Sequence, residues 1–151
     1  MGLPGQTDDS VYRGLKDILQ RHPAVTTVSY EPDSIVKQRL RAIIAPNRIE
    51  APTGPESPRL DVAWRFVDDQ SYYRIHYADP NTGLSCGWHR DEDHPELGAV
   101  HFQYDHPGVD GPVYESASFT ANSPPRILWE ALDRLFEAVV PAVAGELYDE
   151  C

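Results

Sequence analysis

Between residues 60 and 104 apolar and polar side chains alternate with a period of two, in four short runs. Leu60, Val62, Trp64 and Phe66 share one parity, as do Tyr73, Ile75 and Tyr77, then Leu84, Cys86 and Trp88, then Val100, Phe102 and Tyr104. Successive side chains of a strand point to opposite faces. Alternation of this kind therefore belongs to strands buried on one face and solvated on the other, the pattern of an antiparallel sheet. Asp79-Pro80-Asn81-Thr82-Gly83 supplies a turn between two of the runs.

The flanking segments complete the layout. Asp8, Asp9 and Ser10 offer N-caps to a helix through about Arg21, with Val11, Leu15, Ile18 and Leu19 as its apolar stripe and Pro23 as its stop. Val25 to Tyr30 favours a strand, and Glu31-Pro32-Asp33-Ser34 reads as a turn. The following run alternates at Val36, Gln38, Leu40, Ala42 and Ile44, although Lys-Gln-Arg-Leu-Arg is equally compatible with helix; the turn favours a hairpin. A last strand falls near residues 113–119. Ser123 is placed to cap a closing helix with Pro124 at its first position. Leu128, Ala131, Leu132, Leu135 and Val139 form its stripe, widened by Trp129 and Phe136, and Pro141 ends or kinks it.

The expected fold is α+β: an antiparallel meander of about six to seven strands, with the N- and C-terminal helices packed on one face. Residues 1–7 are expected to be disordered, 8–147 to form a single domain and 148–151 a tail. The stretch 46–58, with four prolines, reads as a loop too short to link domains.

If Trp64, Tyr73, Ile75, Trp88 and Phe102 face the core, then Arg65, Arg74, His76, His89 and His101 share the opposite face. Five of the six histidines lie between His76 and His106. Histidine accepts and donates protons near neutrality. Attack of an RNA 2′-hydroxyl on its own phosphodiester needs a base, an acid and a cation, and no metal or other cofactor. His76, His89 and His101 are the candidates for acid and base. Arg74 and Arg90 are candidates to hold the phosphate, and Tyr73, Tyr77 and Trp88 to orient a nucleotide.

Two other readings use the same residues. Cys86-Gly87-Trp88-His89 is a Cys-x-x-His pair followed by His94, Glu96 and His101, all zinc-type ligands. The spacing matches no common zinc module, however, and positions 86 and 89 of a regular strand point to opposite faces. The plainer reading is a solvated sheet face whose histidines pair with Asp91, Glu92, Asp93 or Glu96, the run Arg90–Asp93 being an exposed loop.

Composition narrows the setting. The net charge is −11, and only two of the thirteen basic residues, Lys16 and Lys37, are lysines. Lysine depletion with surplus carboxylate suits a cytoplasm of molar salt, where the Debye length is about 3 Å. An acidic chain lacks the basic patch of a general nucleic-acid binder, so an RNA target requires a specific site. The N-terminus has neither a basic nor an apolar signal region and no run reaches membrane-spanning length, which points to a soluble cytoplasmic protein. Cys86 and Cys151 are too few for a disulfide framework. Phosphate-loop, dinucleotide-binding, His-Glu-x-x-His and Gly-x-Ser-x-Gly motifs are absent.

His76-Tyr77, Trp88 through Asp91, His94-Pro95-Glu96 and His101-Phe102, followed by a closing helix, stand in an order that resembles the TumE-like proteins. The resemblance covers roughly residues 60–139. It departs where the family commonly shows Arg-Trp-Asp, since this chain has Gly87-Trp88-His89-Arg90-Asp91, and its histidine-rich tract is reduced to His101-Phe102-Gln103. The family is described as the toxin component of toxin–antitoxin pairs and includes many small haloarchaeal proteins. The resemblance implies a toxin restrained by a cognate antitoxin or another small protein partner, with RNA as an expected target on chemical grounds. A non-enzymatic module whose exposed sheet face docks a protein partner is the alternative.

Overall fold

A computed structural model describes residues 3–49 and 54–143. Helix α1 (Asp9–Arg21) leads into strands β1 (Val25–Pro32), β2 (Lys37–Ile44), β3 (Arg59–Val67), β4 (Gln70–Asp79), β5 (Leu84–Arg90), β6 (Val100–Asp105) and β7 (Val113–Ala117), and helix α2 (Pro124–Arg134) follows. Each strand pairs antiparallel with its successor, giving one seven-stranded sheet in the order β1 to β7. This is the predicted α+β meander. Among the described residues no helix is long and apolar enough to cross a membrane.

The ambiguous segment after β1 is a strand because its neighbours decide the matter. The Asp33 carboxylate accepts the Ile35 and Val36 N–H groups at 2.8 and 2.7 Å and closes the hairpin. Leu40, Ala42 and Ile44 are then fully buried on one face. They join Leu60, Val62, Trp64, Tyr73, Ile75, Tyr77, Cys86 and Trp88 beneath α1 and α2, which contribute Tyr12, Leu15, Leu19, Leu128 and Leu132. Trp64 stacks on Tyr73 across the β3–β4 ladder with centroids 4.3 Å apart.

Tyr12 does more than fill space. The β2–β3 ladder runs only from Ile43–Arg59 to Leu40–Val62. Beyond it the Tyr12 hydroxyl donates to the Gln38 carbonyl at 2.6 Å and accepts the Trp64 N–H at 3.1 Å. Arg65 Nη1 donates to the same carbonyl at 2.7 Å and to the hydroxyl at 2.6 Å. A helix side chain thus replaces a missing rung and ties α1 to the sheet.

Two details differ from expectation, and at Pro141 one of the two expected outcomes, an end or a kink, is excluded. Ser123 occupies the N-cap of α2 but its side chain makes no capping bond. Pro141 does not end the helix: the chain widens into a π-helical turn, Leu135–Val139, and returns to α-helix through residue 143. In a regular helix the Pro141 ring would press on the carbonyl four residues back. The π turn redirects bonding, Val140 N–H reaching the Leu135 carbonyl, and makes room. At the N-terminus, within the segment expected to be disordered, Gln6 exchanges two backbone bonds with Phe66 at 3.0 and 2.8 Å. Gly5 permits this approach: φ is +93°, and a Cβ there would stand 2.3 Å from the Phe66 carbonyl oxygen. The expected tail 148–151 and residues 50–53 of the proline-rich loop lie outside the described residues.

Tyr12→Phe keeps the ring but strands the Trp64 N–H and deprives Arg65 of an acceptor. The expected cost is about 1–3 kcal/mol, read as a lower urea midpoint at unchanged slope.

Candidate active site

On the face away from the helices the register aligns two rows of mostly polar residues. Ala63, Arg74, His89, His101 and Ser116 are successive cross-strand partners from β3 to β7. The neighbouring row is Arg41, Asp61, His76, Gly87, Gln103 and Tyr114. Directly opposed residues share a face, so period-two alternation and strand order together deliver three histidines to one patch. Ring centroids of His76 and His89 are 5.5 Å apart, and those of His89 and His101 are 5.2 Å apart.

Gly87 makes the first of these contacts possible. It lies opposite His76, and a Cβ there would meet the Ile75 carbonyl oxygen at 2.2 Å and His76 Nδ1 at 3.1 Å. Without that Cβ, His76 lies close over the β5 backbone: its Nδ1 meets His89 Nε2 at 3.4 Å and its Nε2 meets Ser85 Oγ at 2.6 Å. His101 Nε2 meets Gln103 Oε1 at 3.1 Å.

The segment after β5 is largely exposed, as expected, Glu92, Asp93 and Glu96 included, but it turns Asp91 and His94 onto the patch. The Asp91 side chain is only 4% exposed, with Oδ2 3.7 Å from His89 Nδ1 and 3.5 Å from Arg74 Nη2. Arg74 also reaches Asp93 at 3.3 Å. His94, held to Glu96 at 3.2 Å, packs edge-on against His101 and tilted against Tyr114, with centroids 4.8 and 4.3 Å away. His101 is consequently 2% exposed and His89 8%. Burial, reinforced by the charge of His76 and His101, pushes the His89 pKa down to about 3, so its imidazole is neutral at neutral pH. Burial also lowers His76, against the opposing pull of Asp61.

The remaining predicted residues are elsewhere. Tyr73, Tyr77 and Trp88 lie in the core at 1, 0 and 4% exposure, on the helix-covered face. Arg90 is opposite Tyr73 and shares that face. Arg65 is engaged at the β2–β3 split by Tyr12 and Gln38. Cys86 is buried in the core on the side away from His89, and burial pushes its thiol up to about 12, which removes the Cys-x-x-His pair as a metal site. Asp91, His94 and Tyr114 are the site residues that sequence reasoning undervalued. Asp91 follows His89 by two positions and so returns to the same face, a signal the alternation already contained.

A family model described as "Toxin TumE" matches residues 15–139, a span that includes all seven strands. No curated protein and no solved structure matches the chain.

Gly87→Ala is expected to push β5 off β4, lowering the melting temperature and separating the His76 and His89 rings; loss of ring-to-ring nuclear Overhauser contacts reads this directly. A pH dependence follows from His89. Its folded pKa near 3 lies below the ordinary 6.5, so between those values the unfolded chain holds the extra proton. Stability is therefore full above about pH 6.5 and falls as pH drops toward 3. His89→Gln should flatten this slope in urea melts at pH 7.5 and 5.

Proposed function

The chain belongs to the TumE toxin family, and from that premise we propose that it arrests growth by cutting RNA at its histidine face until a cognate protein partner restrains it. The observation that supports this reading most is the convergence of His76, His89 and His101, with Arg74 alongside. In the proposed step a neutral imidazole takes the 2′-hydroxyl proton, and the 2′-oxygen forms a bond to phosphorus. The bond from phosphorus to the 5′-oxygen breaks, and that oxygen leaves with the N–H proton of a second imidazole, which takes the first ring's extra proton across their contact, so both rings end neutral. A 2′,3′-cyclic phosphate remains. The Nδ1–Nε2 contact of His76 and His89 suits such an exchange, one ring donating where the other accepts. Arg74 leaves Asp91 and Asp93 to hold the phosphodiester, and the added anionic charge raises the proton affinity of His89. Segment 91–98 lifts to admit the substrate, since His94 and Tyr114 cover His101. An RNA target sets the work in the cytoplasm, and the lysine-poor acidity fits concentrated salt.

The burial of His101 favours one second reading, in which the covered face is a docking surface for a protein partner and cleaves nothing. Inducing the gene in a host lacking the native locus separates the two. Wild type is expected to arrest growth and to cleave RNA, and co-expression of the neighbouring gene product to relieve the arrest. His76→Gln or His101→Ala that folds normally is expected to lose roughly 10²–10⁴-fold in cleavage rate and the toxicity with it. Full toxicity in both variants would exclude the histidine chemistry.

A further inference from the structure

His89, Asp91 and His101 each place one potential ligand atom within 4.8 Å of the others. We propose that these three side chains form a binding site for one divalent transition-metal ion of the zinc type, with at least one coordination position open. Two imidazoles and a carboxylate are a ligand set that zinc accepts, and three protein ligands with an open position is the arrangement of its catalytic sites.

The hydrogen bonds around the triad leave room for a cation, because one of the two tautomer patterns that satisfy them turns imidazole lone pairs toward Asp91. A neutral imidazole has one N–H and one lone pair. His101 Nε2 faces the Gln103 Oε1 acceptor, so the proton belongs there and Nδ1 is the free lone pair. His89 Nε2 faces His76 Nδ1, and His76 Nε2 faces Ser85 Oγ. A run of Nε2–H donors from His89 to His76 to Ser85 satisfies both contacts, as does the reverse run starting from the Ser85 hydroxyl. The first run leaves the His89 Nδ1 lone pair turned to the Asp91 carboxylate oxygen 3.7 Å away, the arrangement in which an ion takes the place between them. Gln103 and His76 then act as the outer partners that fix the tautomer and orientation of metal-ligating histidines.

Metal bonds of about 2.0–2.2 Å require only modest tightening of the three groups. The competitor for Asp91 is Arg74, 3.5 Å from its carboxylate, but Arg74 has an alternative partner in Asp93 at 3.3 Å. The assignment does not rest on the RNA reading. With an ion bound, His89 and His101 are ligands, so the proton transfers proposed above belong to the ion-free protein.

The test equilibrates the full chain with Zn²⁺ alone, removes excess by dialysis and measures retained metal. One zinc per chain is expected, with a higher melting temperature. His106→Asn should retain it, while Asp91→Asn and His101→Gln should lose at least tenfold in affinity. Arg74→Gln should bind zinc more tightly yet lose RNA cleavage, so failure of either reading shows separately. Should the ligand variants not fold, Co²⁺ on wild type decides: visible bands without a near-ultraviolet thiolate band support the triad. No retained metal, equal retention by the ligand variants, or a thiolate band from Cys86 would overturn the assignment.

Discussion

One-sided burial of the sheet is the constraint on which everything else depends. Two short helices cover one face of seven strands, and each large side chain sealed there contributes about 1.5–3 kcal/mol. That contribution fixes the parity of every strand, because a one-residue slip would carry Trp64, Ile75 or Trp88 into water and draw a charged neighbour into the core. The histidine row is the complement of the core. His89 and His101 face each other because Trp88 and Phe102 do.

The cluster is costly to the fold that carries it. His89 is held neutral far below its ordinary range, and the Asp91 carboxylate is enclosed, with one backbone N–H bond from Asp93 at 3.0 Å and long contacts to Arg74 and His89. A merely solvated sheet face would leave such groups in water at no expense. Here the 91–98 segment folds back, His94 and Tyr114 close over His101, and Gly87 gives up a side chain so that His76 fits. Stability given up around a compact set of ionisable groups is characteristic of sites that bind or react.

The alternation made the sheet, its order and the shared face of Arg74, His76, His89 and His101 legible in the sequence. The same logic, applied strictly, also places Tyr77, Trp88 and Arg90 on the helix side, where they sit far from any role on the histidine face. Chemistry had suggested them for substrate binding, and parity overrules it. What period two does not encode is how irregular segments return to the sheet. Arg90–Asp93 reads as a charged exposed loop, yet Asp91 is enclosed, because its position two residues beyond His89 keeps it on the histidine face near Arg74. The Tyr12 bridge and the π turn before Pro141 depend on tertiary contacts between segments far apart or on local strain, which a hydrophobic pattern does not record.

Long-range ¹H–¹⁵N correlation of the histidine rings across pH tests the central claim most directly. The account predicts neutral Nε2–H tautomers for His76 and His89 at pH 7, with His89 still neutral near pH 5. Both rings titrating independently near the ordinary value of 6.5, with mixed tautomers, would mean that the histidines share a strand pattern but not a site.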